Sequence, residues 1–445
     1  MAQQQVEDEK KNDHHSQQKS VVYVDGSLND KELEELSQAL SQNSSSIIHR
    51  FEFRGLTSKN IHRVCHAIPC WSDIQELDLS QNPKMGPRGC QALAAYLQQA
   101  TTLTVLDFQG CNIRHYGAAA MATALPTSLL DFNISHNELG ADGLWRLTEN
   151  FHSLQRLTTL NISHNSCLDD GCLQVAQQLR HSPHLRVLDL SANEIGDTGC
   201  RGLADGMTQN PALEFLLLQS NCITEVGAWY LAQAIQAQGT NKFNDNNKQS
   251  SSLKELNLSH NLIGNGGCTA FANALYKARA GISLEHLDLS DNRIGDEGVG
   301  TWVDVLDEIP TLRHLELSGN PDVSEARTKI LDMLFQHRQR LVDASERSSS
   351  ERLVMEDDAF QSIKGADVDT TTPLLGLTGG STTVYNCMVQ DLIQQLKHDT
   401  TKEQKDETTT KRRQHWGTVL GFPKEVFHPL WTLVTQQAHK EPTSR

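Results

Sequence analysis

The feature that most constrains the fold is a repeated pattern of leucines followed by an asparagine. The segment LRVLDLSANEIGDTGC begins at Leu185, and LEHLDLSDNRIGDEGV, which begins at Leu284, is nearly the same. Aligned on L-x-x-L-x-L-x-x-N, the 445-residue chain holds nine clear copies, spaced 26 to 31 residues apart except for one gap of 40. A degenerate copy, IHRFEFRGL, begins at Ile48. Periods of this length are typical of solenoids.

Each copy predicts one strand and one helix. The x-L-x-L-x core alternates with period two, as in a strand with one buried face. The following segment has a helical period, with Cys200, Leu203, Ala204 and Met207 on one face. Strands pack more closely than helices, so the stack must curve. The predicted fold class is an α/β solenoid, a horseshoe with a parallel β-sheet on the concave face and helices on the convex face.

The last residue of each copy predicts a structural asparagine ladder. Each turn leaves backbone groups without sheet partners, and an asparagine amide can both donate to them and accept from them. A cysteine does this only weakly, so the turn at Cys111 is predicted to be a soft spot. The column consists of Asn82, Cys111, Asn137, Asn165, Asn193, Asn221, Asn261, Asn292 and Asn320.

These repeats resemble the ribonuclease-inhibitor-like subfamily of leucine-rich repeat proteins. The resemblance rests on the 28-residue period, on the N/C-x-L/I-G-x-x-G turn and on the "GC" helix openings, and it covers roughly residues 45–341. It implies the horseshoe fold. It says little about function, because members of the subfamily include inhibitors, GTPase activators, innate-immune sensors and cytoskeletal scaffolds.

The composition along the chain predicts four regions. Residues 1–20 form a disordered tail, 21–44 an N-terminal cap, and 45–344 the solenoid, with a flexible insertion at about 236–252. A charged helix with Ile330, Leu331, Leu334 and Leu341 inward closes the solenoid. Residues 345–445 form a largely disordered tail with short helical segments near 384–398 and 416–436. The second segment, rich in Trp and Phe, is predicted either to fold back on the solenoid or to dock on a second protein.

The net charge of −16 points to a protein partner with a basic surface and away from nucleic acid. No apolar run is long enough to span a membrane, and the N-terminus has no signal-peptide core. The sequence therefore favours the cytoplasm, with the nucleus as the alternative, and ten cysteines that stay reduced.

The motifs of the sequence predict a protein that is not an enzyme and that has no cofactor and no metal site. There is no phosphate loop, no H-E-x-x-H and no G-x-S-x-G. Four cysteines at one helix position, Cys90, Cys172, Cys200 and Cys268, are interpreted as small buried hydrophobes. Two pairs of histidines are expected to be lateral neighbours, and neither pair has an obvious third metal ligand. They are His136 with His164 and His286 with His314.

Two columns of side chains on the concave face are the candidate binding surface. The first reads Asp78, Asp107, Asn133, Asn161, Asp189, Leu217, Asn257, Asp288 and Glu316. The second reads Glu76, Val105, Asp131, Thr159, Val187, Phe215, Glu255, His286 and His314. Val187, Phe215 and Leu217 are thus predicted to form an apolar island in an acidic groove, as binding hot spots commonly do.

Three functions remain open. The leading hypothesis is an intracellular protein–protein interaction scaffold or inhibitor that binds a partner on the acidic concave face. The alternative is a GTPase-activating protein resembling the Ran-specific activator, whose arginine stabilises charge beside the nucleotide. Arg88 and Arg114 are the candidates for that arginine, although neither turn resembles the arginine loop of that family. A relative of immune sensors is a third possibility, and the chain lacks their nucleotide-binding module.

Overall fold

The computed structural model describes residues 20–42, 48–69, 71–240, 252–325 and 327–336. In these residues one open sheet contains eleven parallel strands in strict chain order, alternating with helices. The predicted α/β solenoid is confirmed. The predicted segments 384–398 and 416–436, and residues 241–251 of the insertion, lie outside the described residues.

The strands of the repeats are short and evenly placed. They are β1 (Ser20–Asp25), β2 (Ile48–Arg54), β3 (Glu76–Asp78), β4 (Val105–Asp107), β5 (Asp131–Asn133), β6 (Thr159–Asn161), β7 (Val187–Asp189), β8 (Phe215–Leu217), β9 (Glu255–Asn257), β10 (His286–Asp288) and β11 (His314–Glu316). In β3 to β9 the middle residue is buried and both its neighbours are partly exposed. This alternation places every second side chain on the face of the sheet that points away from the core.

The helices are α1 (Asp30–Gln42), α2 (Ile61–His66), α3 (Gly86–Leu97), α4 (Arg114–Ala122), α5 (Gly140–Thr148), α6 (Leu168–Leu179), α7 (Asp197–Met207), α8 (Glu225–Thr240), α9 (Asn265–Ala278) and α10 (Asp296–Val305). Their inward faces carry mostly small or aliphatic residues, with Phe271 in α9 and Trp302 in α10, and Cys90, Cys172, Cys200 and Cys268 are fully buried as predicted. Burial raises the pKa of the thiols of Cys90, Cys172 and Cys200.

The chain divides into two compact units. The first comprises Met1–Gly298 and Thr311–Asp322 and contains all eleven strands. The second comprises Val299–Pro310 and Val323–Arg445. In its described part, residues 327–336 are helical, and Ile330, Leu331 and Leu334 are buried there.

The predicted asparagine ladder is present and buried. The Nδ2 group of Asn165 donates to the backbone oxygen of Ile134 in the preceding repeat at 3.0 Å and to that of Ile162 at 2.9 Å. Its Oδ1 atom accepts the backbone N–H of Asn137 at 3.0 Å. At Cys111 the thiol donates to the oxygen of Leu79 at 2.9 Å. Each ladder residue thus satisfies backbone groups of two turns.

The residue before each ladder residue has a left-handed backbone conformation. Its φ lies between 51° and 69° in all nine repeats, at Gln81, Gly110, His136, His164, Ala192, Ser220, His260, Asp291 and Gly319. Only glycine adopts this conformation without strain. The pairing of His136 with His164 therefore follows from two turns of the same geometry.

A second ladder joins the N-termini of successive helices. The Oδ1 atom of Asp169, in α6, accepts the backbone N–H groups of Gly196 at 2.7 Å and Gly199 at 2.9 Å, at the start of α7. Asp197 accepts those of Thr224 at 2.9 Å and Gly227 at 2.8 Å, at the start of α8. Each carboxylate thus caps the helix of the next repeat.

A glycine in the first turn of each helix from α3 to α10 permits a close approach of this kind. A Cβ atom added to Gly227 would lie 3.3 Å from the Cα atom of Asp197, and one added to Gly143 would lie 3.1 Å from the Cα atom of His115. A larger residue would push adjacent repeats apart.

Candidate functional site: the open face of the sheet

The outward side chains of the strands form two continuous columns, here called the open face. Hydrogen-bonded register aligns Glu76 with Val105 and Asp78 with Asp107, and the same alignment continues to β11. Within each of the two predicted columns, successive residues are therefore lateral neighbours along the sheet. The register also extends them to β2, where Arg50 lies beside Glu76 and Glu52 beside Asp78.

Every acidic and amide residue of the first column accepts a hydrogen bond from the turn that follows its own strand. The side-chain oxygen of Asp189 accepts the backbone N–H of Ser191 at 2.9 Å, and that of Asp288 accepts the N–H of Ser290 at 2.9 Å. The same bond, to the residue two positions on, is made by Asp78, Asp107, Asn133, Asn161, Asn257 and Glu316. The recurrence of Asp and Asn in this column therefore has a structural cause. Each carboxylate keeps a second oxygen that this bond does not use.

Two arginines that the sequence analysis missed pair with the carboxylates at the N-terminal end of the face. Arg50 lies 2.9 Å from Glu52 and 3.7 Å from Glu76, and Arg54 lies 3.3 Å from Asp78. Burial acts to raise the pKa of Asp78, but hydrogen bonds from Arg54 and Ser80 outweigh it and lower that pKa. The two arginines therefore partly neutralise the carboxylates at this end.

Two carboxylates further along, Asp107 and Asp131, have raised pKa values and are here called the uncompensated carboxylates. Burial raises the pKa of Asp107, and the charge of Asp78 adds to this effect. Burial, together with the charge of Asp107, also raises the pKa of Asp131. No described cation forms an ion pair with either residue; Asn133 donates to Asp107 at 3.1 Å. These two side chains hold negative charge in a place that disfavours it.

The predicted apolar island is contiguous. Val187 and Phe215 are in register, as are Asp189 and Leu217. Leu217 is the one member of its column that cannot accept the turn hydrogen bond, and two residues on, the Oε1 atom of Gln219 is buried without a hydrogen-bond partner among the described atoms. The repeat of β8 thus gives up a local stabilising bond and presents apolar surface instead.

Three charged side chains, of which the middle one is acidic and the outer two are basic, lie beside this island. Arg186 donates two hydrogen bonds to Glu214, at 2.7 and 2.9 Å, and Lys254 donates to the same carboxylate at 2.9 Å. Hydrogen bonds from Arg186 and Lys254 lower the pKa of Glu214 to about 2. These groups form a polar rim of fixed geometry.

At the C-terminal end of the face, two imidazole rings stack. The rings of His286 and His314 lie 4.5 Å apart, beside Asp288 and Glu316, and those of His136 and His164 lie 3.9 Å apart. Both predicted pairs are confirmed as neighbours. Among the described residues no group of three or more His, Cys, Asp or Glu side chains is placed to hold a metal ion.

The two arginines of the alternative hypothesis lie away from the open face. Arg88 is exposed in the first turn of α3. Arg114 donates to Asn112 at 2.8 Å and lies 3.4 Å from Glu138. In the described part of the chain, no helix is long and apolar enough to cross a membrane.

The comparisons with known proteins agree with this geometry. The sequence matches the leucine-rich repeat family at residues 72–94, 99–122, 181–204, 249–272 and 282–300, about a quarter of the chain. The chain therefore contains leucine-rich repeats in these segments. Proteins with such repeats are typically interaction modules without enzymatic activity. No curated protein matches the chain significantly.

The solved structures that the chain is similar to include two of low identity. An internalin of Listeria monocytogenes is 16% identical, with a TM-score of 0.38, over 61% of this chain and 68% of that one. Actin-binding site 2 of leiomodin-1 is 15% identical, with a TM-score of 0.29, over 48% of this chain and 97% of that one.

Proposed function

We propose that this leucine-rich repeat protein is an intracellular scaffold or inhibitor that binds a basic protein partner on the open face. The observation that carries the proposal is the repeat of β8. There Leu217 stands between Asp189 and Asn257 of the neighbouring strands, although it gives up the hydrogen bond that Asp or Asn makes elsewhere, and Phe215 lies beside Val187. An apolar centre inside a polar rim is the common build of a binding hot spot.

The uncompensated carboxylates support a basic partner. Asp107 and Asp131 stay on the face although burial and mutual repulsion disfavour their charge. Residues kept against stability in this way are candidates for function. Asp131 lies three strands from Phe215, about 14 Å at the usual strand spacing. The partner is therefore expected to present an apolar side chain and a basic group at about that separation.

The test is a comparative capture experiment in cells with quantitative mass spectrometry. The variant Phe215→Ala with Leu217→Ala removes the island. The matched control, Val226→Ala with Trp229→Ala, removes two exposed apolar residues from helix α8 of the same repeat. The proposal predicts that the first variant loses most partners and that the control keeps them. Equal capture by wild type and the island variant, with both folded by circular dichroism, would contradict it.

A further inference from the structure

The helix side of the first repeats is basic, although the protein as a whole is strongly acidic. From residue 53 to residue 130 the chain has four carboxylates, and three of them, Glu76, Asp78 and Asp107, lie on the open face. The fourth is Asp73. The same stretch contains five cations besides Arg54, namely Lys59, Arg63, Lys84, Arg88 and Arg114. Helices α2, α3 and α4 contain no acidic residue at all.

A groove of about 960 Å³ opens in this basic region, at the N-terminal ends of α3 and α4. Its walls include Pro83, Pro87 and the exposed ring of Tyr116, and Lys84 and Arg88 line it as well. This volume is at the upper end of those that hold ligands in proteins, roughly 300–1,000 Å³. Apolar walls with a few charged groups are the usual composition of such sites.

The two cations that line the groove, Lys84 and Arg88, can pair with a ligand, whereas two other cations of this region are already paired. Arg63 pairs with Asp30 at 2.8 Å and Arg114 with Glu138 at 3.4 Å. In contrast, neither Lys84 nor Arg88 forms an ion pair with any other residue in the ranges that the structure describes. Both side chains are exposed. Two positive charges therefore face solvent in a region without compensating carboxylates.

The backbone that presents these cations is fixed. The carbonyl of Lys84 accepts the N–H of Ser58 at 3.1 Å, and the N–H of Gly86 donates to the carbonyl of Cys111 at 3.1 Å. Pro83 and Pro87 further restrict the turn. A rigid turn loses little conformational freedom when a partner binds.

We propose that this groove, here called the helix-side groove, binds an acidic segment of a protein partner. Its cations would pair with Asp or Glu side chains, and the proline walls and the Tyr116 ring would pack against intervening apolar residues. A short polypeptide fits better than nucleic acid or an anionic membrane, because it brings only a few carboxylates to the two cations, whereas a longer polyanion would also meet the acidic remainder of a chain with a net charge of −16. The groove is separate from the open face, so the two surfaces would select partners of opposite charge.

The experiment measures binding of a fluorescent oligoglutamate peptide with a central leucine to the full chain by anisotropy. Wild type is expected to bind saturably, and more weakly as salt increases. The variant Lys84→Glu with Arg88→Glu is expected to lose about tenfold in affinity or more. The matched control is Arg156→Glu with Arg201→Glu, which changes the charge equally at two other exposed arginines and should bind as wild type does. Tyr116→Ala should weaken binding without changing its salt dependence.

Three outcomes would overturn the proposal. They are no saturable binding by wild type, equal losses in the two charge-reversal variants, and binding of oligothymidylate or phosphatidylserine vesicles in place of the peptide. The Phe215→Ala/Leu217→Ala variant should keep wild-type affinity for the peptide. A failure at the helix-side groove is thus distinguishable from a failure at the open face.

Discussion

The Oδ1 atom of Asn193 accepts a hydrogen bond from the backbone N–H of Asn165 at 2.9 Å, and the two residues are one repeat apart. The Nδ2 atom of Asn193 also donates to the oxygen of Ile162 at 3.0 Å. Such bonds fix the spacing between repeats at the turn, where the sheet has ended. Each repeat is therefore held by its neighbour through one buried side chain.

Asn193→Ala is expected to destabilise the fold strongly. It leaves the backbone N–H groups of Asn165 and Cys167 buried without this acceptor and removes one of two donors to the Ile162 carbonyl, which should lower the free energy of unfolding by about 2–4 kcal/mol. The control is Asn161→Ala on the open face, which removes bonds only to Ser163. Urea denaturation of both variants tests this, and equal losses would show that the ladder has no special role.

Ala192→Gly is expected to stabilise the protein. Ala192 has a φ of 52°, and relief of this strain should exceed the added flexibility of the unfolded chain, for a gain of up to about 1 kcal/mol. The control is Ala176→Gly, inside helix α6, which should destabilise by a similar amount. Thermal melts compare the two, and a lower Tm for Ala192→Gly would refute the strain argument.

Asp197→Ala is expected to loosen the contact between α7 and α8. The backbone N–H groups of Thr224 and Gly227 lose their acceptor, so we expect a loss of about 1–2 kcal/mol. Asp142→Ala is the control, because Asp142 is an exposed acid in the first turn of α5 and makes no bond to another repeat in the part of the chain that the structure describes. Hydrogen exchange at the start of α8 should rise in the first variant alone. Unchanged exchange there would exclude a capping role.

Asp131→Asn is expected to raise the stability of the protein and to weaken its binding to a partner. Because its pKa is raised in the folded state, the native protein binds the proton more readily than the unfolded chain does. Asp131 therefore adds stability as the pH falls towards and below its folded pKa, and it destabilises at neutral pH. Asp131→Asn should raise the stability at pH 7 by a few tenths of a kcal/mol, since water screens this partly exposed group. It should also weaken capture of a basic partner. A variant that is less stable at pH 7 would contradict this reading of the face.

The repeat period alone predicts the strands, the ladder and the two columns, because a fixed period sets which residues become lateral neighbours. It does not predict where a side chain finds its hydrogen bonds. The bond from Ser191 N–H to Asp189 depends on how the chain turns after β7, and the cap of Asp197 on α8 depends on the approach of two helix ends. The position of Arg50, in contrast, follows from the sequence pattern. The register extended by one copy, to the degenerate segment at Ile48, places Arg50 beside Glu76.

The most direct test of the central claim asks which face of the molecule touches the partner. A photo-crosslinking amino acid placed at Phe215, on the open face, is compared with one placed at Trp229, on the helix side of the same repeat. The account predicts that the proteins lost on Phe215→Ala/Leu217→Ala substitution become covalently attached through position 215 and not through position 229. Attachment of those proteins through position 229, with none through position 215, would contradict it.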